Sequence, residues 1–542
     1  MKNLKYLYIS LGVMAFTACN DPEDVDLEPE VMAEELPALT AGSADFSNYV
    51  SLGNSLTAGF TDGALFQAGQ TLSLPNLLSQ KFSLAGGGTF TQPLTNDNIG
   101  GLALAGTRIQ SPRLVFGGAG PVSLEDLVGD VTVTTDIALN NPTGPFNNLG
   151  VPGAKSFHLL APGYGSLDNF PTAANPYAIR ITGNTSASIL DLAVEQSPSF
   201  FSLWIGNNDV LGYATTGGDG TNPITPVSGA PGQGFDGSYG ALIATLTASG
   251  AQGVVANIPN VTDVPHFTTV PHNPLDPTDE SFGAQIATLN GIFGQLNQVY
   301  DFLGVPERAI KFSETQASEV IIKDEELVDL SAQIAAVLGA SPTFPAFVES
   351  FGLPAQAAPL VAGLLGNTYG QTREATADDL FVLPSASVIG TVNVESVGAL
   401  MAAGLPQTLA GQFSVEGITL PLADKWVLIP AEQQEIAVAT EAFNQIIAAT
   451  ASQAGLALVD ANTLLNQLAN GGITSGDFTL QSNLVTGGAF SLDGIHPTAR
   501  GYALLANEFM MAIDATYGSN FAESGNLLNV GDYPTNYPAT LQ

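Results

Sequence analysis

Four short apolar runs recur along this chain, and each stops abruptly at small polar residues: Tyr49-Val50-Ser51-Leu52-Gly53, Phe200-Phe201-Ser202-Leu203-Trp204-Ile205, Gly253-Val254-Val255-Ala256-Asn257-Ile258 and Leu456-Ala457-Leu458-Val459. Runs of this length without polar alternation suit strands buried on both faces. Segments of helical pattern separate them, at residues 66–82, 186–196, 239–249, 282–302, 432–454 and 497–516. A weaker strand, Phe146-Asn147-Asn148-Leu149-Gly150, turns through Gly150 and Gly153 into the helix-compatible stretch 155–160. Strands alternating with helices predict an α/β chain: a parallel sheet with helices on both faces. In open sheets of this kind ligands bind beyond the carboxyl ends of the strands, so chemistry is expected just after each run.

Two stretches break the rhythm. Residues 85–143 are Gly-rich, with β-prone pieces such as 130–134, and read as an excursion with little regular structure. Residues 305–430 hold apolar helices at 325–338 and 355–365, separated by Pro342, Pro345 and Pro354. The expectation is an inserted subdomain packed on the core; the alternative is a lid or lipid-facing surface. No repeat and no clean linker divides the chain, so residues 43–542 read as one α/β domain carrying both insertions.

The chain of 542 residues is long enough for a substantial core, and 50 acidic against 13 basic residues give a formal charge of −37. A surface so negative repels phosphate backbones, which excludes nucleic acid as a partner. The amino terminus reads Met1-Lys2-Asn3-Leu4-Lys5, a mainly apolar stretch at 6–15, then Phe16-Thr17-Ala18-Cys19. A basic start, a short apolar segment and small residues before a cleavage point are the parts of a secretory signal, 1–18. Cys19 is the one cysteine, so no intrachain disulfide supports the fold. Its setting is similar to a bacterial lipobox, which implies cleavage before Cys19, lipidation of its sulfur and a membrane tether. The acidic, Pro-bearing residues up to 42 then read as a flexible spacer. The expected location is the bacterial outer membrane, with acidic residues just after Cys19 hinting at display on the cell surface.

Candidate chemistry gathers at the strand ends. The first strand breaks into Gly53-Asn54-Ser55-Leu56, a tight turn presenting a hydroxyl at a helix start. Histidine is scarce, at four residues, and His496 stands in the turn Leu492-Asp493-Gly494-Ile495-His496-Pro497 before the last helix. A serine hydroxyl needs a base in reach, and the base gains from a group fixing its tautomer. His496 suits the first role and Asp493 the second. An oxyanion would need donors already in place, and the N–H groups of Ser55 and Gly153 with the side-chain amide of Asn208 are the candidates. Each residue also has a plain role: Asn208 and His496 as helix caps, Gly153 as a turn glycine. His158, His266 and His272 read as surface or packing residues, although His266 and His272 would suit the flank of a cleft. The acidic stretch 276–280 reads as a solvated loop rather than a calcium site.

Together the four blocks resemble the SGNH or GDSL-like ester hydrolases: Gly53-Asn54-Ser55-Leu56, the Gly153 turn, Gly206-x-Asn208-Asp209 and Asp493-x-x-His496. The resemblance implies Ser55 as nucleophile, His496 as base, Asp493 as its partner, and Ser55, Gly153 and Asn208 as the oxyanion hole. It also implies a three-layer, flavodoxin-like fold and neither cofactor nor metal. The stretches Ile258-Pro259-Asn260-Val261-Thr262-Asp263-Val264-Pro265 and Leu422-Ala423-Asp424-Lys425-Trp426-Val427-Leu428 look like a lipoprotein branch of that family. The expected activity is a lipase or carboxylesterase cleaving acyl esters through an acyl-enzyme. A carbohydrate O-deacetylase and a non-catalytic surface lipoprotein are the alternatives. Asn54 stands where the family usually has Asp, and the expectation is tolerance; an Asn54→Asp variant gaining several orders of magnitude in activity would show a crippled site.

Overall fold

Five strands pair into one parallel sheet: β1 (Tyr49–Gly53), β2 (Asn148–Gly150), β3 (Phe200–Trp204), β4 (Gln252–Ala256) and β5 (Ala457–Val459). The computed structural model describes residues 36–541 except Asn184, so the leader and Cys19 lie outside the described residues. Across the sheet the order is β5-β4-β3-β1-β2. Leu52 of β1 stands opposite Leu149 of β2 on one side and Leu203 of β3 on the other. Both β1 and β3 are buried along their whole length, as unalternated apolar runs require. The chain steps outward from β1 to β2 and then returns past β1 to build β3. The loops leaving β1 and β3 therefore diverge, and a crevice opens between them.

Eight helices frame this sheet: α1 (Ser55–Ala58), α2 (Leu74–Leu84), α3 (Ile189–Val194), α4 (Asn207–Ala214), α5 (Phe235–Thr247), α6 (Pro430–Ala454), α7 (Ala461–Ala469) and α8 (Ala499–Tyr517). Right-handed crossovers put the β1–β2 connection on one face and the β2–β3, β3–β4 and β4–β5 connections on the other. The packing agrees: α8 lies on β5 and against α2, whereas α5 packs on α6 and α3. The helix expected over 66–82 is two, Gln67–Thr71 and α2, with Pro75 in the opening turn of the second. Residues 155–160 form a 3₁₀ turn, Ser156–Leu160. The 85–143 excursion holds two small hairpins, Leu102–Leu104 with Thr107–Gln110 and Leu114–Phe116 with Pro121–Ser123, while the β-prone 130–134 is irregular.

The second insertion has a core of its own, running from Val270 to Ile429. It starts earlier than residue 305, because helix Ile286–Leu303 turns Leu289, Phe293, Leu296 and Tyr300 into this core and not onto the sheet. Helices Ser331–Ala340 and Ala358–Tyr369 pack on each other within it. Arg373 pins its ladder, bonding Asp324 at 2.6 Å and Asp379 at 2.7 Å. Trp426 touches both cores. Among the described residues no single helix is long and apolar enough to cross a membrane.

Candidate active site

Ser55 opens α1 directly behind β1. Asn54 caps that helix, its Oδ1 accepting the Leu56 N–H at 3.0 Å, while its Nδ2 donates to Asn207 Oδ1 at 3.2 Å. The turn is tight enough to demand glycine before it: a Cβ on Gly53 would stand 2.2 Å from Thr57 Oγ1 and 2.5 Å from the Trp204 carbonyl. Ser55 is 8% exposed and lines a narrow cleft also lined by His496 and Asn208. Its hydroxyl makes no hydrogen bond to a described residue, His496 included.

His496 and Asp493 meet. The imidazole Nδ1 lies 2.8 Å from Asp493 Oδ2, leaving Nε2 as the free ring nitrogen. Asp493 Oδ1 also accepts the N–H groups of Ile495 and His496, each at 2.9 Å, and the Ser491 hydroxyl at 3.1 Å; Oδ2 takes the Gly63 N–H at 2.9 Å. Burial alone would raise this carboxyl, but the His496 charge and these donors outweigh it and hold Asp493 well below the usual carboxylate range. Phe60 lies against the imidazole, ring centres 4.6 Å apart, and fixes its tilt.

Behind the pair stand two residues whose part was not legible from spacing. Asp62 donates its N–H to Ser491 Oγ at 3.0 Å and accepts the Leu492 N–H at 3.1 Å, which clamps the loop that carries Asp493. It is 1% exposed and one of its oxygens has no partner; burial, joined by the Asp493 charge, pushes it up to about 7 against the pull of Arg113. His266 donates its N–H to the Gly494 carbonyl at 2.9 Å, and burial lowers its imidazole. It supports the same loop from below, a packing role and not a cleft-flanking one. His158 lies stacked on Tyr164 at 4.7 Å, where burial pushes it down to about 4.

A different set of contacts links the loops that carry the candidate donors. Asn208 sits in the first turn of α4, and its Nδ2 donates one hydrogen to the Ala154 carbonyl at 2.9 Å, tying the β3 loop to the Gly153 turn. Asp209 completes the tie, accepting the Ser156 N–H at 2.8 Å and the Ser156 hydroxyl at 2.7 Å; burial raises its carboxyl. Gly206 makes the turn possible at φ +118°, with a Cβ there only 2.6 Å from Ile258 Cδ1. Gly153 is exposed, has φ +81°, and lines a shallow depression with Gln110 and Tyr177 that adjoins Phe60. Among the described residues, the N–H groups of Ser55 and Gly153 have no hydrogen-bond acceptor. Two helix amino termini, α1 and α4, thus face the region where Ser55 and Asn208 stand, and both favour negative charge there.

The cleft walls are apolar, and none of the lining residues comes from the second insertion. Leu464, Leu465 and Leu468 of α7 form one side, with Leu504 and Leu505 of α8 and Phe490 completing it. The lid expected as an alternative for residues 325–338 and 355–365 is not seen: those helices bury their apolar faces in the insert's own core. Helix α7 is a cleft-lining element that sequence reading passed over; its signal was Asp460, whose side chain caps the Thr463 N–H at 3.1 Å, followed by leucines at helical spacing. No family model, no curated protein and no solved structure matches this chain.

Proposed function

We propose that this chain is a serine ester hydrolase of the SGNH type, acting through an acyl-enzyme. The observation that carries the reading is that His496, held by Asp493 at 2.8 Å, lines one apolar cleft together with Ser55. In this mechanism His496 Nε2 takes the proton of Ser55 Oγ as the oxygen attacks the ester carbonyl. Asp493 holds the ring by Nδ1 and stabilises the imidazolium that forms. The unpartnered N–H groups of Ser55 and Gly153 and the second hydrogen of Asn208 Nδ2 receive the oxyanion. Collapse expels the alcohol, which takes its proton from His496, and water then repeats the sequence on the acyl-serine. The strand order, with the crevice between β1 and β3, agrees with the flavodoxin-like arrangement of that family.

The leucine-lined cleft favours an apolar acyl chain, and so a lipase or carboxylesterase over a carbohydrate O-deacetylase. Lipidation at Cys19 and an outer-membrane location belong to the same reading and rest on the amino-terminal sequence. The missing hydrogen bond between Ser55 and His496 favours a second reading, a binding protein on a hydrolase scaffold. One experiment separates them: p-nitrophenyl esters from acetate to palmitate, assayed on the chain and its Ser55→Ala variant, with fluorophosphonate labelling alongside. Hydrolysis and labelling that both vanish in Ser55→Ala support the enzyme. A chain that neither hydrolyses nor labels is the binding protein.

A further inference from the structure

Far along α4 from Asn208, at the join between the sheet core and the insert, three acids converge. Glu325 comes from the insert, Asp424 from the turn before Trp426, and Glu432 from the first turn of α6. One carboxylate oxygen of each lies within 4.8 Å of the others. That is the span across a calcium coordination sphere with metal–oxygen distances of about 2.3–2.6 Å. Crowded acids on a surface would mean little, but two of the three are buried, with Glu325 at the more exposed edge. Glu432 is 4% exposed and Asp424 9%. Glu325 Oε2, Asp424 Oδ1 and Glu432 Oε1 are shut from solvent and accept from no N–H or hydroxyl donor, while Glu325 stands within hydrogen-bond reach of both other acids. Glu432 is held in place by its other oxygen, which accepts the Ile429 N–H at 2.8 Å.

The chain also makes room for this arrangement. The loop leaving α4 passes so close that a Cβ on Gly218 would stand 1.8 Å from Glu432 Oε1, and one on Gly217 2.3 Å from the Asp424 carbonyl. The field of Lys323 reaches Asp424, but Lys323 makes no ion pair with it. Burial and mutual repulsion raise both Asp424 and Glu432 above ordinary carboxyls.

We infer that Glu325, Asp424 and Glu432 bind one divalent cation of the calcium type, which ties the insert to the sheet core. The donors are all carboxylate oxygens, without histidine or cysteine, which selects a hard ion over zinc or copper. A span of up to 4.8 Å between the donor oxygens suits calcium better than magnesium, whose ligands sit at about 2.0–2.1 Å in strict octahedral geometry.

The test uses the full chain in detergent, freed of metal with EGTA, and terbium as the probe, since Trp426 is two residues from Asp424 and sensitises its emission. Expected are saturable emission at one ion per chain, displacement by calcium, and a melting temperature several degrees higher in calcium than in EGTA. In the triple variant Glu325→Gln, Asp424→Asn, Glu432→Gln both effects disappear, while the protein melts at or above metal-free wild type because the buried charges are gone. Glu325→Gln alone weakens calcium binding by roughly tenfold or more, and serves if the triple variant does not fold. No saturable emission, or no calcium effect on melting, overturns the site. So does emission that survives the triple variant but is lost in Asp276→Asn with Asp279→Asn. Ester hydrolysis plays no part in these readouts, so the cation site and the hydrolase reading fail separately.

Discussion

Asp493 accepts five hydrogen bonds, so its charge and its position are separable. Asp493→Asn keeps an acceptor for some of the donors but turns an N–H toward groups that already donate, and it no longer selects the His496 tautomer. For the proposed hydrolase kcat should fall roughly 10³–10⁴-fold with KM little changed; a fall under about tenfold would remove Asp493 from the mechanism. Asp62 is the opposite case. Its folded value of about 7 lies above the ordinary 3.8, so between these the folded state keeps a proton that the unfolded chain has released. Stability therefore declines as pH rises through that window and levels off above it. Asp62→Asn removes this slope: urea titrations should show wild type losing roughly 2–4 kcal/mol more than the variant between pH 4 and 7. Parallel curves would show that Asp62 ionises freely. Asn54 makes two bonds, to Leu56 and Asn207, and neither reaches the Asp493–His496 pair, which is the physical ground for expecting the departure from Asp to be tolerated.

At the scale of elements, the cleft belongs to α7 and the start of α8. Leu468→Trp narrows it without touching Ser55 or His496. If burial of each methylene contributes about 0.8 kcal/mol, the rate on long esters should drop by about fourfold for every methylene displaced, while acetate stays near wild type. An unchanged chain-length profile would place the acyl chain elsewhere. This assignment shows what was legible in the sequence and what was not. β1, β3 and β4 announced themselves because strands buried on both faces cannot alternate. Asp493 and His496 were legible because three residues in one turn fix their distance locally. Gly153 and Asn208 were legible only as residue types after strands; their link runs through Asn208 to Ala154 and Asp209 to Ser156, contacts 54 and 53 residues apart. Asp62 reaches Leu492 over 430 residues, and no local pattern encodes such a contact. The insert boundary was misplaced because the apolar stripe of Ile286–Leu303 suits either core equally.

For the molecule as a whole, closure depends on one cation. Arg113 is fully buried, and its guanidinium donates to the carbonyls of Asn98 at 2.8 Å, Tyr537 at 3.3 Å, Pro538 at 2.8 Å and Leu541 at 2.9 Å, while lying 5.2 Å over the Phe66 ring. The segment after α8 thus returns to the excursion that follows β1, next to the Asp62 that braces the Asp493 loop. In a chain of charge −37, with self-repulsion favouring expansion, such a buried donor has a role beyond packing. Arg113→Met preserves much of the volume but strips four carbonyls of a charged donor and leaves Asp62 without its nearest positive field. The expected loss is roughly 3–5 kcal/mol in urea unfolding, together with earlier proteolytic cleavage after α8 and a steeper loss of stability as pH rises past 7. If the variant instead stays within about 1 kcal/mol and its tail resists protease, the Tyr537–Phe66 contact at 4.9 Å suffices to hold the carboxyl-terminal segment. The pH slope separates the two further, because an aromatic clasp has no charge to lend Asp62.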